Sequence, residues 1–151
     1  MNVLLIGSGG REHTLAWKLA QSPLLKHLYI SPGNAGTANH GTNISVDWKN
    51  FEALKSFLLE QEVEMIIIGP EDPLVAGLHD QIAADINLKH IYVIGPKQKA
   101  AQLEGSKDFS KEFMHKYDIP TANYKSFTLE TIDEGIQFLE DVKSPYVLKA
   151  D

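Results

Sequence analysis

Short apolar runs closed by glycine or proline alternate along this chain with stretches in which apolar residues recur every three or four positions. The runs are Val3-Leu4-Leu5-Ile6 before Gly7, Leu28-Tyr29-Ile30 before Ser31-Pro32-Gly33, Met65-Ile66-Ile67-Ile68 before Gly69-Pro70, and Ile91-Tyr92-Val93-Ile94 before Gly95-Pro96. Unbroken apolarity of this length marks strands buried on both faces. Ile44-Ser45-Val46 predicts a weaker strand. Leu15 and Leu19, with Ala16 and Ala20 beside them, predict a helix from near Arg11 to about Ser22-Pro23. Phe51, Leu54 and Leu58 predict a second, and Leu74, Leu78, Ile82 and Ile86, spaced by four, a third. Alternation of strand and helix from Val3 to Ile94 implies an α/β fold with a parallel, doubly wound sheet and right-handed crossovers.

The pattern changes after Gly95. Lys97 to Leu103 reads as a short linking helix, and Glu104-Gly105-Ser106-Lys107-Asp108 as polar punctuation before a helix with Phe109, Phe113 and Tyr117 on one side. Ile119-Pro120 ends that helix. Tyr124 to Phe127 predicts a strand, Thr131 with Glu134 a capping box for a helix bearing Ile132, Ile136 and Leu139, and Pro145 to Asp151 the opening of another strand. These elements are too few to close a core of their own. The expected division is therefore a first domain over 1–103 and the incomplete opening of a second over 104–151.

Composition narrows the function classes. With 43% hydrophobic and 23% charged residues the 151-residue chain is that of a globular protein, and its net charge of −6 argues against a nucleic-acid or membrane-surface partner. It has no cysteine, which removes disulfides, thiolate catalysis and zinc–thiolate sites and suits a reducing cytoplasm. No signal peptide and no run of membrane-spanning length is found. The six histidines do not fall at metal-ligand spacing, and no serine sits in a nucleophile elbow.

Candidate chemistry begins at Gly7-Ser8-Gly9-Gly10-Arg11-Glu12-His13, between the first strand and the first helix. Glycines 7, 9 and 10 permit positive φ and remove Cβ atoms that would hold a ligand away from the backbone. The N–H groups of a helix's first turn favour an anion, and Arg11 adds a donor fork suited to phosphate. Gly9, Gly10 and Arg11 thus form a candidate phosphate cradle, with a tight turn lacking any ligand as the alternative. A dinucleotide fingerprint needs a third glycine where Glu12 stands and an acid after the second strand, where the chain has Ser31-Pro32-Gly33, so an NAD-dependent oxidoreductase is disfavoured. No P-loop motif occurs. At the same sheet edge Asn34 offers an amide to a sugar hydroxyl or an Asx bond to its own turn. Glu71 and Asp72 follow the central strand: Glu71 reads as a ribose or amine contact, Asp72 as a helix-start residue favoured by the dipole. His13 reads as a polar residue of the first turn. Lys149 on an apolar strand reads as a half-buried ammonium needing an anionic partner, and Lys107 as a solvated helix-start residue.

Gly7 to His13, Ser31-Pro32-Gly33-Asn34, Gly69-Pro70-Glu71-Asp72-Pro73-Leu74, Gly105-Ser106-Lys107, Ile119-Pro120-Thr121-Ala122 and Leu148-Lys149-Ala150-Asp151 together resemble the phosphoribosylamine–glycine ligase (glycinamide ribonucleotide synthetase) family. The matches span the chain in the family's order. The resemblance implies a Rossmann-like pre-ATP-grasp domain followed by the start of an ATP-grasp domain. It also implies a purine-biosynthesis enzyme joining glycine to 5-phosphoribosylamine with ATP and magnesium through a glycyl phosphate. On this basis Gly9, Gly10 and Arg11 are expected against the substrate phosphate, Asn34 and Glu71 near its ribose or amine, and Lys107 and Lys149 at ATP phosphates. The family's glycine-rich loop over ATP, its magnesium carboxylates and a further domain follow the segment matching Lys149-Ala150-Asp151. The expectation is an amino-terminal part of such a ligase, inactive alone, with a noncatalytic binding module or a neighbouring ATP-grasp ligase as competing readings.

Overall fold

The protein is described from a computed structural model, which covers residues 1–142 and 144–149. It divides into two compact units, Met1–Ala101 and Gln102–Asp151.

The first unit is an α/β layer structure around five parallel strands: β1 (Asn2–Gly7), β2 (His27–Pro32), β3 (Thr42–Asn43), β4 (Val63–Ile68) and β5 (Tyr92–Ile94), in the spatial order β3-β2-β1-β4-β5. Strand periodicity sends alternate side chains of β1 to opposite faces. Leu4 and Ile6 join Leu54 and Leu58 of α2 (Phe51–Glu60), Leu74 of α3 (Glu71–Val75), and Leu78 and Ile82 of α4 (Leu78–Ala84). Val3 and Leu5 join Leu28, Ile30 and Ala16 of α1 (Gly10–Leu19) on the other face. This is the doubly wound, Rossmann-like arrangement expected from the sequence. An ion pair of 2.6 Å between Lys55 and Asp85 fastens α2 to the end of α4.

Four expectations need correcting here. The third strand is Thr42–Asn43, earlier than Ile44–Val46, because pairing with Tyr29 and Ile30 of β2 sets its position. The helix through Leu74, Leu78 and Ile82 is two helices, broken at Gly77, whose φ of +90° lies in the left-handed region. Ile86 therefore falls beyond α4 and is exposed. The last strand is an edge strand: Val93 packs inward, but Tyr92 and Ile94 are exposed on the opposite face.

α5 (Gln98–Gly105) leads out of the first unit, with Ala101 buried in its core. In the second unit, Ser106 caps α6 (Lys107–Lys116), its Oγ accepting from the Phe109 N–H at 3.1 Å. The rings of Phe113 and Tyr117 meet at a tilt of 46°, with their centres 4.6 Å apart. α7 (Ile132–Asp141) follows a 3-10 turn whose capping pair is Thr128 with Thr131, not Thr131 with Glu134; Thr131 Oγ1 accepts from the Thr128 N–H at 2.9 Å. Phe127 packs over Gly135 and Phe138 of α7. The expected strands at Tyr124–Phe127 and Pro145 onward are not formed among the described residues, and Ala150 and Asp151 lie outside them. No neighbouring strand is available to take up their backbone hydrogen bonds in the described part of this unit. Among the described residues no helix is long and apolar enough to cross a membrane.

Candidate functional site

Strand order reverses between β1 and β4, so the chain leaves these neighbouring strands in opposite directions and opens a crevice beyond their carboxyl ends, where ligands of open α/β sheets bind. Register places the two exits level: Ile6 pairs with Ile68, and the Gly69 N–H donates to the Ile6 carbonyl at 3.0 Å. After β1, Gly7 turns the chain with φ +130°, and Gly9, in extended conformation, is the N-cap of α1. After β4, Gly69-Pro70 leads straight into Glu71, the first residue of α3. The turn after β2 opens on the same edge, its Gly33 N–H donating to the Gly7 carbonyl at 3.1 Å.

Glu12 fills the base of this crevice and is only 4% exposed. Its Oε2 accepts from the Gly9 N–H at 2.7 Å, and its Oε1 accepts from Arg11 Nε at 3.3 Å. Glycine is required around it for space: a Cβ on Gly7 would stand 2.5 Å from Glu12 Cγ, and a Cβ on Gly69 would overlap its carboxyl group. This corrects the expectation that Gly7, Gly9 and Gly10 all open toward a ligand. Of the three only Gly7 has positive φ, and only Gly10 has nothing within 4 Å of a notional Cβ. The Glu12 side chain takes the N–H of the cap residue Gly9 and leaves the Gly10 and Arg11 N–H groups of the first turn of α1 without a side-chain partner among the described residues.

Arg11 spans the crevice. Besides Glu12 it reaches Glu71 across the strand reversal, Nη2 to Oε2 at 3.7 Å, while its side chain remains 57% exposed. Two carboxylates from two different turns thus hold one guanidinium at the mouth, with donor capacity left over. Glu71 and Asp72 both lie in the first turn of α3, so the dipole argument made for Asp72 applies to both, and the contact with Arg11 is what separates Glu71. Asn34 performs the turn-holding role: its Oδ1 accepts from the N–H groups of Gly36 at 2.7 Å and Thr37 at 3.0 Å, and its Nδ2 donates to the Ser8 carbonyl at 2.8 Å. It therefore couples the β2 turn to the cradle. Fully buried Thr37 and half-buried Asn43 brace the same turn, Asn43 Nδ2 donating to the Asn34 carbonyl at 2.7 Å. His13 packs over Gly36, 5.4 Å from the His40 ring. An open groove of about 500 Å³, lined by Trp48, Lys49, Pro70, Asp72, Pro73, Val75 and Ala76, flanks α3.

In the second unit Lys107 is the first residue of α6 and exposed. Lys149 lies exposed in irregular chain, not half-buried on a strand, because the expected strand is not formed. Among the described residues no group of three or more His, Cys, Asp or Glu side chains is placed to hold a metal ion. Sequence reasoning treated Glu12 only as a departure from a fingerprint. The signal that would have found it is a cap residue followed three positions later by glutamate, the spacing at which a carboxylate reaches back to the cap N–H.

Residues 1–104 match the family described as phosphoribosylglycinamide synthetase, N domain, and residues 105–151 match its ATP-grasp (A) domain. The chain belongs to the phosphoribosylglycinamide synthetase family. A phosphoribosylamine–glycine ligase of Agrobacterium fabrum is 48% identical over 151 residues, covering all of this chain and 34% of that protein. The trifunctional purine biosynthetic protein adenosine-3 of Gallus gallus is 52% identical over 128 residues, 83% of this chain and 12% of that one. Among solved structures, a phosphoribosylamine–glycine ligase of Thermotoga maritima superimposes with a TM-score of 0.62 at 32% identity, over 91% of this chain and 30% of that one. The chain spans about a third of the length of the ligases it matches.

Proposed function

We propose that this chain is the amino-terminal part of an ATP-dependent carbon–nitrogen ligase that joins glycine to 5-phosphoribosylamine in purine biosynthesis, in the cytoplasm. The observation that carries this reading is the uninterrupted succession of the family's N domain and the start of its ATP-grasp domain along one chain. In this reading residues 1–103 form the substrate-binding domain and residues 104–151 open the ATP-grasp domain. Gly10 and Arg11 meet the phosphate of phosphoribosylamine, with Gly9 shaping the turn. Glu71, beside Arg11, accepts from the ribose hydroxyls or the amine. Asn34 acts by fixing the two turns relative to each other. Lys107 and Lys149 are assigned to ATP phosphates, and the magnesium ligands to residues outside this chain.

The test is a chimera in which these 151 residues replace the matching third of the Agrobacterium fabrum enzyme. Glycinamide ribonucleotide formation is the expected result, and Arg11→Ala in the chimera is expected to raise KM for phosphoribosylamine at least tenfold with a smaller change in kcat, since the lost contact is present in ground and transition states alike. The unfused chain is expected to release no ADP in the presence of glycine. A folded chimera without activity, or glycine-dependent ADP release by the unfused chain, overturns the reading.

A further inference from the structure

We infer that Glu12 determines what the cradle accepts: it plugs the crevice against a pyrophosphate and holds Arg11 toward a single terminal phosphate. The inference rests on the proposed phosphate site and adds the residue that sets its selectivity.

In a dinucleotide-binding turn the second glycine lets pyrophosphate approach the backbone, and the third allows close helix–strand packing. Here both features are replaced by one side chain. Glu12 stands at the position of the third glycine, and its carboxyl group lies 3.0 Å from where a Cβ of Gly9, the second glycine, would be. The Gly9 N–H, which a pyrophosphate would take, already donates to Glu12 Oε2. Gly7 at the end of β1 and Gly69 just after β4 close on the same carboxyl group, so the plug reaches both strands that flank the strand reversal.

The outer face of the turn is built differently. Nothing crowds Gly10, the Glu12 side chain takes the Gly9 N–H but not those of Gly10 and Arg11, and Arg11 is drawn over the mouth by hydrogen bonding of its Nε to Glu12 and by Glu71. A monoester phosphate can reach these groups without entering the plugged space. Glu12 is thus a positioning residue, acting through Gly9 and Arg11 and by exclusion.

Two measurements test this. In the wild-type chain, ribose 5-phosphate followed by amide NMR is expected to shift the Gly10 and Arg11 N–H signals and leave the Gly9 signal, tied to Glu12, nearly in place. A Gly9 shift as large as theirs overturns the inference without any variant having to fold. Glu12→Gly then recreates the spacing of a dinucleotide fingerprint. Its affinity ratio for ribose 5-phosphate over ADP-ribose is expected to fall at least tenfold, while Glu12→Gln, of nearly the same volume and still an acceptor for Gly9, keeps the wild-type ratio within about threefold. An unchanged ratio in folded Glu12→Gly, or ADP-ribose binding by Glu12→Gln, overturns the inference. Failure of the wild-type chain to bind ribose 5-phosphate counts against the proposed phosphate site instead. Gain of ADP-ribose binding by Glu12→Gly, or of its absence in a folded variant, still decides for or against the plug.

Discussion

The two units carry similar amphipathic patterns and bury very different amounts of them. Every buried hydrophobic side chain among the described residues lies between Val3 and Ala101, whereas beyond that point Gly135 alone is buried. Ile132 and Ile136 repeat at helical spacing on α7 just as Leu78 and Ile82 do on α4, yet the first pair is half exposed and the second pair sealed. The difference is what lies opposite. α4 faces a sheet, while α7 meets Phe127 through Gly135 and Phe138 on another side of the helix. Periodicity shows which face of a helix is apolar, and the number of packing layers decides whether that face is covered.

The sharpest way to break this comparison is to truncate matched residues. Ile82→Ala removes a fully buried side chain and is expected to lower stability by about 2–5 kcal/mol. Ile136→Ala, on a half-exposed side chain, is expected to change it by no more than about 0.5 kcal/mol. Both tryptophans, Trp17 and Trp48, lie in the first unit, so urea unfolding followed by their emission reads that unit directly. Far-ultraviolet circular dichroism follows the helices of both. Equal losses from the two substitutions would mean that α7 contributes to a core as α4 does, and the contrast drawn here would fail.

A smaller contrast lies within the cradle itself. Gly69→Ala sets a methyl group against the buried Glu12 carboxyl group and is expected to cost about 1–3 kcal/mol through overpacking. Gly10→Ala, at the open first position of α1, is expected to be neutral or to stabilise by up to about 1 kcal/mol, since it restricts the unfolded chain without meeting anything in the folded one. Thermal midpoints of the two variants check the pair. A destabilising Gly10→Ala would show that the outer face of the turn is more crowded than the geometry indicates.

What the sequence made legible follows the same division. The β1 and β4 runs could be placed from their unbroken apolarity, and the parallel, doubly wound character of the sheet from the alternation of strand and helix, because in the first unit local pattern and tertiary packing agree. β5 carried the same apolar signal but lies at an edge, and composition does not distinguish an edge from a centre when the covering layer is missing. The break at Gly77 was hidden because spacing by four continued across it, and only the left-handed backbone angle reveals two helices. At the site, Arg11 and Glu71 could be assigned to one sheet edge from sequence, but their meeting depends on β1 lying beside β4, sixty residues apart in the chain. Glu12 was visible as an exception to a motif, whereas its burial beneath Gly7 and Gly69 is a property of two turns brought together. In the second unit the strand signals at Tyr124 and Pro145 had no partner strand among the described residues to realise them.

The smallest expected effect is electrostatic and sharpens the comparison by locating acid sensitivity in the first unit. The hydrogen bond from Lys55 holds the Asp85 carboxyl below the ordinary carboxylate range, helped by the Asn87 N–H at 2.9 Å, and the same bond holds Lys55 above the ordinary lysine range. Asp85 therefore contributes stability above its unfolded-state pKa of about 4, and loses it as pH falls through the depressed folded value. Lys55 contributes below its unfolded-state pKa of about 10.4, and loses it as pH rises through the elevated folded value. Both statements describe one contact, so the contribution is a plateau at neutral pH with a shoulder on each side. Asp85→Asn should lower the urea midpoint most near neutrality, with the difference from wild type shrinking as pH drops below about 4 and the wild-type carboxylate protonates. Tryptophan emission should show this shrinkage, because Trp48 lies in the chain segment that leads into α2. A difference that stayed constant from neutral pH down to strong acid would mean that Asp85 acts through packing or its Asn87 cap, and that charge plays no part in fastening α2 to α4.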